Sequence, residues 1–267
     1  MISLPRLAVI GLLSLTAGTG CGRETYLERL DETKRYFAYE DRLNQCLTRV
    51  AWAGKSFELR VPKQFAPIIS TAKPGVEGEQ RDPRQPKFAE GLELPGLQGA
   101  WSAGFPLTGG EGEGPAWLYL CSNFDFLEKK SDEAKAASFN GDLIHRIAMA
   151  VGQPNQTPAL EKLPSYEVPV KGEEAFVDKR KYKILSPGIG VIVEDKPYRI
   201  RIYSYKKEKS PAQISLIYVL PDNIVQAANL DRAIDMSLET LVVTQDKPAP
   251  AAAKGGKGKA AGRTKSF

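Results

Sequence analysis

Alternating apolar and polar side chains predict β-strands in the second half of the chain. The clearest stretch runs from Tyr198 to Tyr205, and two further stretches cover 182–193 and 212–220. Gly and Pro at 187–190 predict a turn that divides the first stretch into two short strands. Because short turns separate the stretches, we expect neighbouring strands to pair in an antiparallel meander.

Apolar residues at helical spacing predict an N-terminal helix over 24–50. Two stripes, offset from each other around this helix, consist of Tyr36, Tyr39, Leu43, Cys46 and Val50, and of Tyr26, Leu30, Thr33 and Phe37. The pattern indicates an amphipathic helix that packs on the domain or on a partner helix. The alternative is an interaction arm near a membrane.

Two more helices follow from the same spacing rule. One is expected over 131–151, ended by Gly152 and broken or kinked at Asn140. The other closes the domain after a cap at Asn229 or Asp231, with Ile234, Leu238 and Leu241 on its apolar face.

The remaining segments complete an α+β prediction. Strands are expected at 57–61 and 116–122, and the Gly/Pro-rich insert at 70–115 is expected to form long loops around one or two short strands. We therefore expect one α+β domain over 51–245, in which helices pack on a mainly antiparallel sheet.

The first twenty residues are typical of an export signal. Leu7–Leu15 is apolar but too short to span a membrane, and small residues follow it. Gly18-Thr19-Gly20-Cys21 resembles the lipobox of bacterial lipoproteins, although Gly18 stands where that motif usually has an aliphatic residue. The resemblance implies a signal peptide over 1–20, acyl groups such as palmitate on Cys21, and a membrane anchor.

The lipobox resemblance also bears on the destination of the chain. Gly22 follows the cysteine where Asp would favour retention at the inner membrane, so the resemblance implies the outer membrane of the cell envelope. Cleavage without lipidation would instead release a soluble exported protein.

The net charge of +5 arises from the C-terminal tail. Residues 247–267 contain six basic residues, no acidic residue and almost no apolar bulk, so we expect a disordered basic tail over 246–267. Residues 1–246 have 31 basic and 32 acidic residues, so the net charge of the whole chain is no evidence for a nucleic-acid-binding fold, and we expect no nucleic-acid partner.

Few residues indicate catalytic or metal chemistry. The chain has one histidine, His145, which we expect to be structural or half-exposed, and the sequence has no nucleophile motif, metal-ligand spacing or cofactor motif. An exported chain could bridge Cys46 to Cys121; alternatively, both are buried thiols.

One predicted strand carries a face that suggests binding. Arg199, Arg201, Tyr203 and Tyr205 alternate with the apolar residues of Tyr198–Tyr205, and an Arg/Tyr face can bind an anion, a glycan or a protein. The alternatives are a solvated sheet face, or a face covered by a helix with its arginines paired.

The order of elements resembles the Mog1/PsbP-like α/β sandwich. The resemblance is carried by Phe57–Val61, Tyr198–Tyr205, Gln213–Leu220 and the closing helix over 230–243, and the long insert at 70–115 departs from it. It implies lipoproteins and accessory proteins that work by binding, and it supplies no catalytic residue.

We therefore expect a membrane-anchored accessory module that binds a protein or an envelope polymer. One alternative is a hydrolase of envelope material that uses carboxylates the sequence does not identify. Another is a scaffold that acts through its N-terminal helix and basic tail.

Overall fold

The computed structural model describes residues 21–69, 82–110, 112–154, 159–170 and 175–244. The predicted signal peptide (1–20), the predicted basic tail (246–267) and residues 70–81 of the insert lie outside the described residues.

Four α-helices and ten strands make up the described part of the chain. The helices are α1 (Cys21–Cys46), α2 (Phe124–Leu127), α3 (Glu133–Ala150) and α4 (Ala227–Glu239). The strands are β1 (Trp52–Ala53), β2 (Phe57–Leu59), β3 (Ala66–Pro67), β4 (Leu97–Pro106), β5 (Glu113–Ser122), β6 (Ser165–Val168), β7 (Arg180–Val193), β8 (Lys196–Lys206), β9 (Gln213–Pro221) and β10 (Val242–Val243).

Seven strands form the main sheet in the order β3-β4-β5-β9-β8-β7-β6, and every neighbouring pair is antiparallel. A small antiparallel sheet, β1-β2-β10, stands apart from it. The α+β class, the mainly antiparallel sheet and the meander β7-β8-β9 are thus confirmed. The predicted strand at 57–61 belongs to the small sheet, as β2.

The turn predicted at 187–190 is wrong. Strand β7 runs unbroken for 14 residues, and its register with β8 shifts between Leu185 and Ile189. Gly188 has a φ of +98°, and a Cβ there would lie 2.5 Å from the carbonyl oxygen of Ile200. A bulge with glycine at the point of closest approach therefore replaces the turn.

The Gly/Pro-rich insert at 70–115 contains longer β-strands than its Gly and Pro content predicts. Strands β4 and β5 have ten residues each and pair from Leu97–Cys121 to Pro106–Glu113. The hairpin is central because β5 also pairs with β9. The expectation of short strands among long loops is wrong for 97–115, because backbone pairing and burial outweigh local turn propensity.

Each face of the main sheet is covered by a helix. On one face, Ile200 and Ile202 of β8 pack in a buried cluster with Leu143 and Ile147 of α3. On the other face, apolar residues of β9 form a second buried cluster with the small sheet and with Leu230, Ile234 and Leu238 of α4.

Helix α1 packs on the outer side of α4 through its C-terminal third. Tyr39 and Leu43 are buried beside Met236 of α4, and the Tyr39 hydroxyl donates to the Glu239 carboxylate at 3.2 Å. The helix ends at Cys46, so Val50, which the spacing placed on the same stripe, lies beyond it and is 80% exposed.

A buried polar network joins α3 to the sheet. The Gln213 side chain accepts from the Asn140 backbone N–H at 3.1 Å and donates to the carbonyl oxygens of Ala136 and Ala137. The Ser215 hydroxyl donates to the Asn140 side-chain oxygen at 2.9 Å. The predicted break at Asn140 is wrong: α3 is continuous, and Asn140 is one of the residues through which it bonds to β9.

Replacing Gln213 with alanine should destabilise the fold. The substitution removes three hydrogen bonds between the Gln213 side chain and the backbone of α3. Each such bond typically contributes about 0.5–1.5 kcal/mol, so we expect a loss of about 2–4 kcal/mol. Urea unfolding measures this change. Gln45→Ala, at an exposed position of α1, is the control and should change stability by less than about 0.5 kcal/mol. Equal midpoints for the two variants would contradict the role of the network.

Candidate functional site

Eight charged side chains line a cleft at the junction of β7 and β8. The cleft has a volume of about 560 Å³. It is lined by the start of β7, by the end of β8 with the turn that follows it, by Asn140 of α3, and by Leu160 and Glu161 from the segment before β6. We call it the basic cleft. Tyr182 pairs with Tyr205 across the two strands, and this pairing brings the basic residues around each of them together.

Six cationic side chains line the basic cleft: Lys179, Arg180, Lys181, Lys183, Lys206 and Lys207. Two carboxylates, Glu161 and Glu208, share the lining, which leaves an excess of four positive charges. A concave surface with charge of one sign raises the local concentration of oppositely charged ligands. The lining therefore favours anions.

Three of the cations are positioned by neighbouring groups. Lys183 donates to the carbonyl oxygen of Leu163 at 2.9 Å, and Arg180 donates to that of Glu239. Lys181 pairs with Glu167 of β6 at 3.3 Å. These backbone carbonyls position Arg180 and Lys183 without placing an opposite charge in the hydrogen bond.

The floor of the basic cleft consists of uncharged, hydrogen-bonded side chains. Ser204 and Asn140 belong to the buried network, where the Ser204 and Ser215 hydroxyls lie 3.1 Å apart. The Tyr182 hydroxyl donates to the carbonyl oxygen of Leu238 at 2.8 Å, and burial raises the pKa of Tyr182. The floor can therefore support a ligand, while the charges around it supply the attraction.

The structure does not present the predicted Arg/Tyr binding face as a free surface. Tyr203 is buried against α4 and the small sheet, and Arg201 pairs with Asp231 of α4. Arg199 forms a two-pronged pair with Asp222 at 2.9 and 3.2 Å. These contacts resemble the alternative in which the arginines are paired and a helix packs on the face. Of the four residues, only Tyr205 lines the basic cleft.

Cys46 and Cys121 are free thiols, so the candidate disulfide is absent from the structure. They belong to different layers: Cys121 of β5 faces the cluster under α3, whereas Cys46 packs near α4 at the end of α1. Burial raises the pKa of Cys121, which makes it an unreactive, small apolar side chain.

The geometry around His145 does not form a nucleophile–base pair. His145 is exposed on α3 and lines a smaller cavity with Ser138 and Asp142. The Ser138 hydroxyl donates to Asp142 at 2.5 Å, whereas a catalytic serine must donate to the histidine. Within the described ranges, no group of three or more His, Cys, Asp or Glu side chains could hold a metal ion.

No protein-family model and no curated protein matches this chain. Among the helices of the described residues, none has the length and apolar character needed to cross a bilayer.

Sequence reasoning missed the basic cleft although its residues are grouped in the chain. Four of the cations lie within 179–183 and the other two are adjacent at 206–207. The near-zero net charge of the folded part hid them, because acidic residues elsewhere cancel their sum. The useful signal was the predicted antiparallel pairing of two strands. One of them begins with a basic run and the other ends with one, so the pairing places the two runs side by side.

Burial of Tyr203 predicts a pH-dependent stability. Burial is the main cause that raises the pKa of Tyr203 to about 12. A raised folded pKa gives stability that is complete below the unfolded value near 10 and is lost as the pH rises towards 12. Urea unfolding measures this effect. Between pH ~8 and pH ~11, the free energy of unfolding of Tyr203→Phe should fall by about 1 kcal/mol less than that of the unmodified chain. Equal losses in the two proteins would contradict a buried, protonated phenol at this position.

Proposed function

We propose that this protein is a lipid-anchored, non-catalytic module of the cell envelope that binds an anionic envelope polymer in the basic cleft. The observation that carries the proposal is the excess of four positive charges among the residues that line the cleft. Several ion pairs formed together can hold a polymer whose single contacts are weak, since one exposed pair contributes only about 0–1 kcal/mol.

The lipobox resemblance at Cys21 supports the anchor. Helix α1 begins at Cys21 and is attached to the domain only near its other end. A lipid on Cys21 would therefore hold the domain to a membrane through a helical connection. We propose the outer membrane as the destination because Gly22 follows Cys21.

We also propose that the fold is Mog1/PsbP-like. The antiparallel sheet with a helix on each face supports this proposal. The placement of β2 in a separate small sheet departs from the single antiparallel sheet that we expected.

Intact-mass analysis of protein from membranes of the native host tests the anchor. We expect a chain that starts at Cys21 and carries acyl groups, because the lipobox resemblance places cleavage before this residue. A Cys21→Ala variant should be lost from the membrane fraction. An unmodified chain in the soluble fraction would contradict the lipid anchor and would favour the alternative of a soluble exported protein.

Charge reversal in the basic cleft tests the binding site. Lys179→Glu with Lys206→Glu lowers the positive excess from four to zero, so affinity for polyphosphate should fall by about tenfold or more and binding by the unmodified protein should weaken with added salt. Isothermal titration calorimetry measures both effects. Lys63→Glu with Lys87→Glu makes the same change in net charge at exposed positions outside the cleft.

The control pair decides between local and general attraction. If both double variants lose the same affinity, the attraction comes from overall charge and the cleft is not the site. Polygalacturonate and neutral dextran extend the comparison to carboxylate and uncharged polymers. Cleavage of any polymer that is lost on Glu161→Gln or Glu208→Gln would favour the hydrolase alternative instead.

A further inference from the structure

The first part of α1 is an arm that extends beyond the domain. Residues 23–38 are all exposed, the ring of Tyr36 makes an edge contact with Phe176 at 5.5 Å between centroids, and the buried contacts of the helix begin at Tyr39. At about 1.5 Å of rise per residue, the stretch from Cys21 to Phe37 is roughly 24 Å long. The arm carries large apolar side chains that remain exposed: Tyr26 (63%), Leu27 (50%), Leu30 (37%) and Phe37 (61%).

Three of these side chains form a stripe along the arm. With about 100° of rotation per residue, Tyr26, Leu30 and Phe37 lie within about 20° of a common line. Tyr39 and Leu43, which dock on α4, lie roughly 140° away around the helix. The stripe can therefore meet another surface while the helix stays docked on its own domain.

Charges on the arm are sorted around the stripe. Arg23, Arg29 and Lys34 flank it, each within about 80° of its line. The four acidic residues lie on the far side, at about 120° or more from that line, and are Glu24, Glu28, Asp31 and Glu32. Arg35 is also on the far side, where it pairs with Asp31 at 3.2 Å.

This arrangement matches an anionic lipid surface. Aromatic and aliphatic side chains can enter the headgroup region, flanking Lys and Arg side chains reach the phosphates, and acidic side chains face water. A second copy is a poorer occupant. Two parallel arms joined through the stripe would place Arg29 of each beside Lys34 of the other, and this like-charge pairing is unfavourable.

We propose that the arm of α1 lies in the headgroup region of an anionic bilayer through Tyr26, Leu30 and Phe37, with Arg23, Arg29 and Lys34 on the lipid phosphates. The helix then lies along the membrane instead of standing upright on its anchor. The choice of this membrane rests on the proposed function, whereas the affinity of the arm for lipid does not require the acyl groups on Cys21.

Vesicle binding by residues 21–267 carrying Cys21→Ser tests the proposal without a lipid anchor. This chain retains every described residue. Cosedimentation should show binding to vesicles of phosphatidylcholine and phosphatidylglycerol in equal parts, and much weaker binding to phosphatidylcholine alone. Arg29→Glu should weaken binding by about tenfold or more, because it removes an attraction and adds a repulsion at the lipid surface. Leu30→Ser with Phe37→Ser should weaken it comparably.

Arg35→Glu is the matched control. It makes the same charge change on the far side of the same helix, and both proteins keep the basic tail, so its affinity should stay within about twofold of the unmodified chain. Equal weakening by Arg29→Glu and Arg35→Glu would overturn the proposal, as would binding that no arm variant changes. A dimer in sedimentation analysis that dissociates on Leu30→Ser with Phe37→Ser would assign the stripe to a second copy.

Discussion

The fold depends on burying β9 on both faces. All nine of its residues are buried, and β5 and β8 pair with it on either side. A strand without a solvent face needs a cover on each side of the sheet, and α3 and α4 supply these covers. The buried Asn140–Gln213 network then fixes where α3 sits, because it joins one position of the helix to one position of the strand.

This constraint explains which predictions held. Period-two alternation correctly separated the two faces of Tyr198–Tyr205, because the side-chain period is a local property of a strand. It could not reveal that α4 covers the Arg/Tyr face, since that depends on contacts between residues distant in sequence. The prediction of a break at Asn140 was wrong for the same reason. Its partner on β9 lies 73 residues away, and local propensity alone treats Asn as a residue that disfavours the interior of a helix.

The basic cleft shows a similar division between local and distant information. The basic runs around Tyr182 and Tyr205 are visible in the sequence, but their proximity depends on the register of β7 with β8. The bulge before Ile189 shows that this register is not a simple count from the turn. Candidate sites on neighbouring strands are therefore better sought by pairing predicted strands than by summing charge over the chain.

One buried residue links the basic cleft to the docked end of α1. Glu239 is 2% exposed; its carboxylate accepts from the Tyr39 hydroxyl, and its backbone carbonyl accepts from the Arg180 guanidinium. The hydrogen bond and the negative charge of Glu239 add to burial in raising the pKa of Tyr39. The side chain of Glu239 thus bonds to α1, and its backbone carbonyl bonds to Arg180 of the basic cleft. The last turn of α4 therefore contacts both the attached end of α1 and the basic cleft.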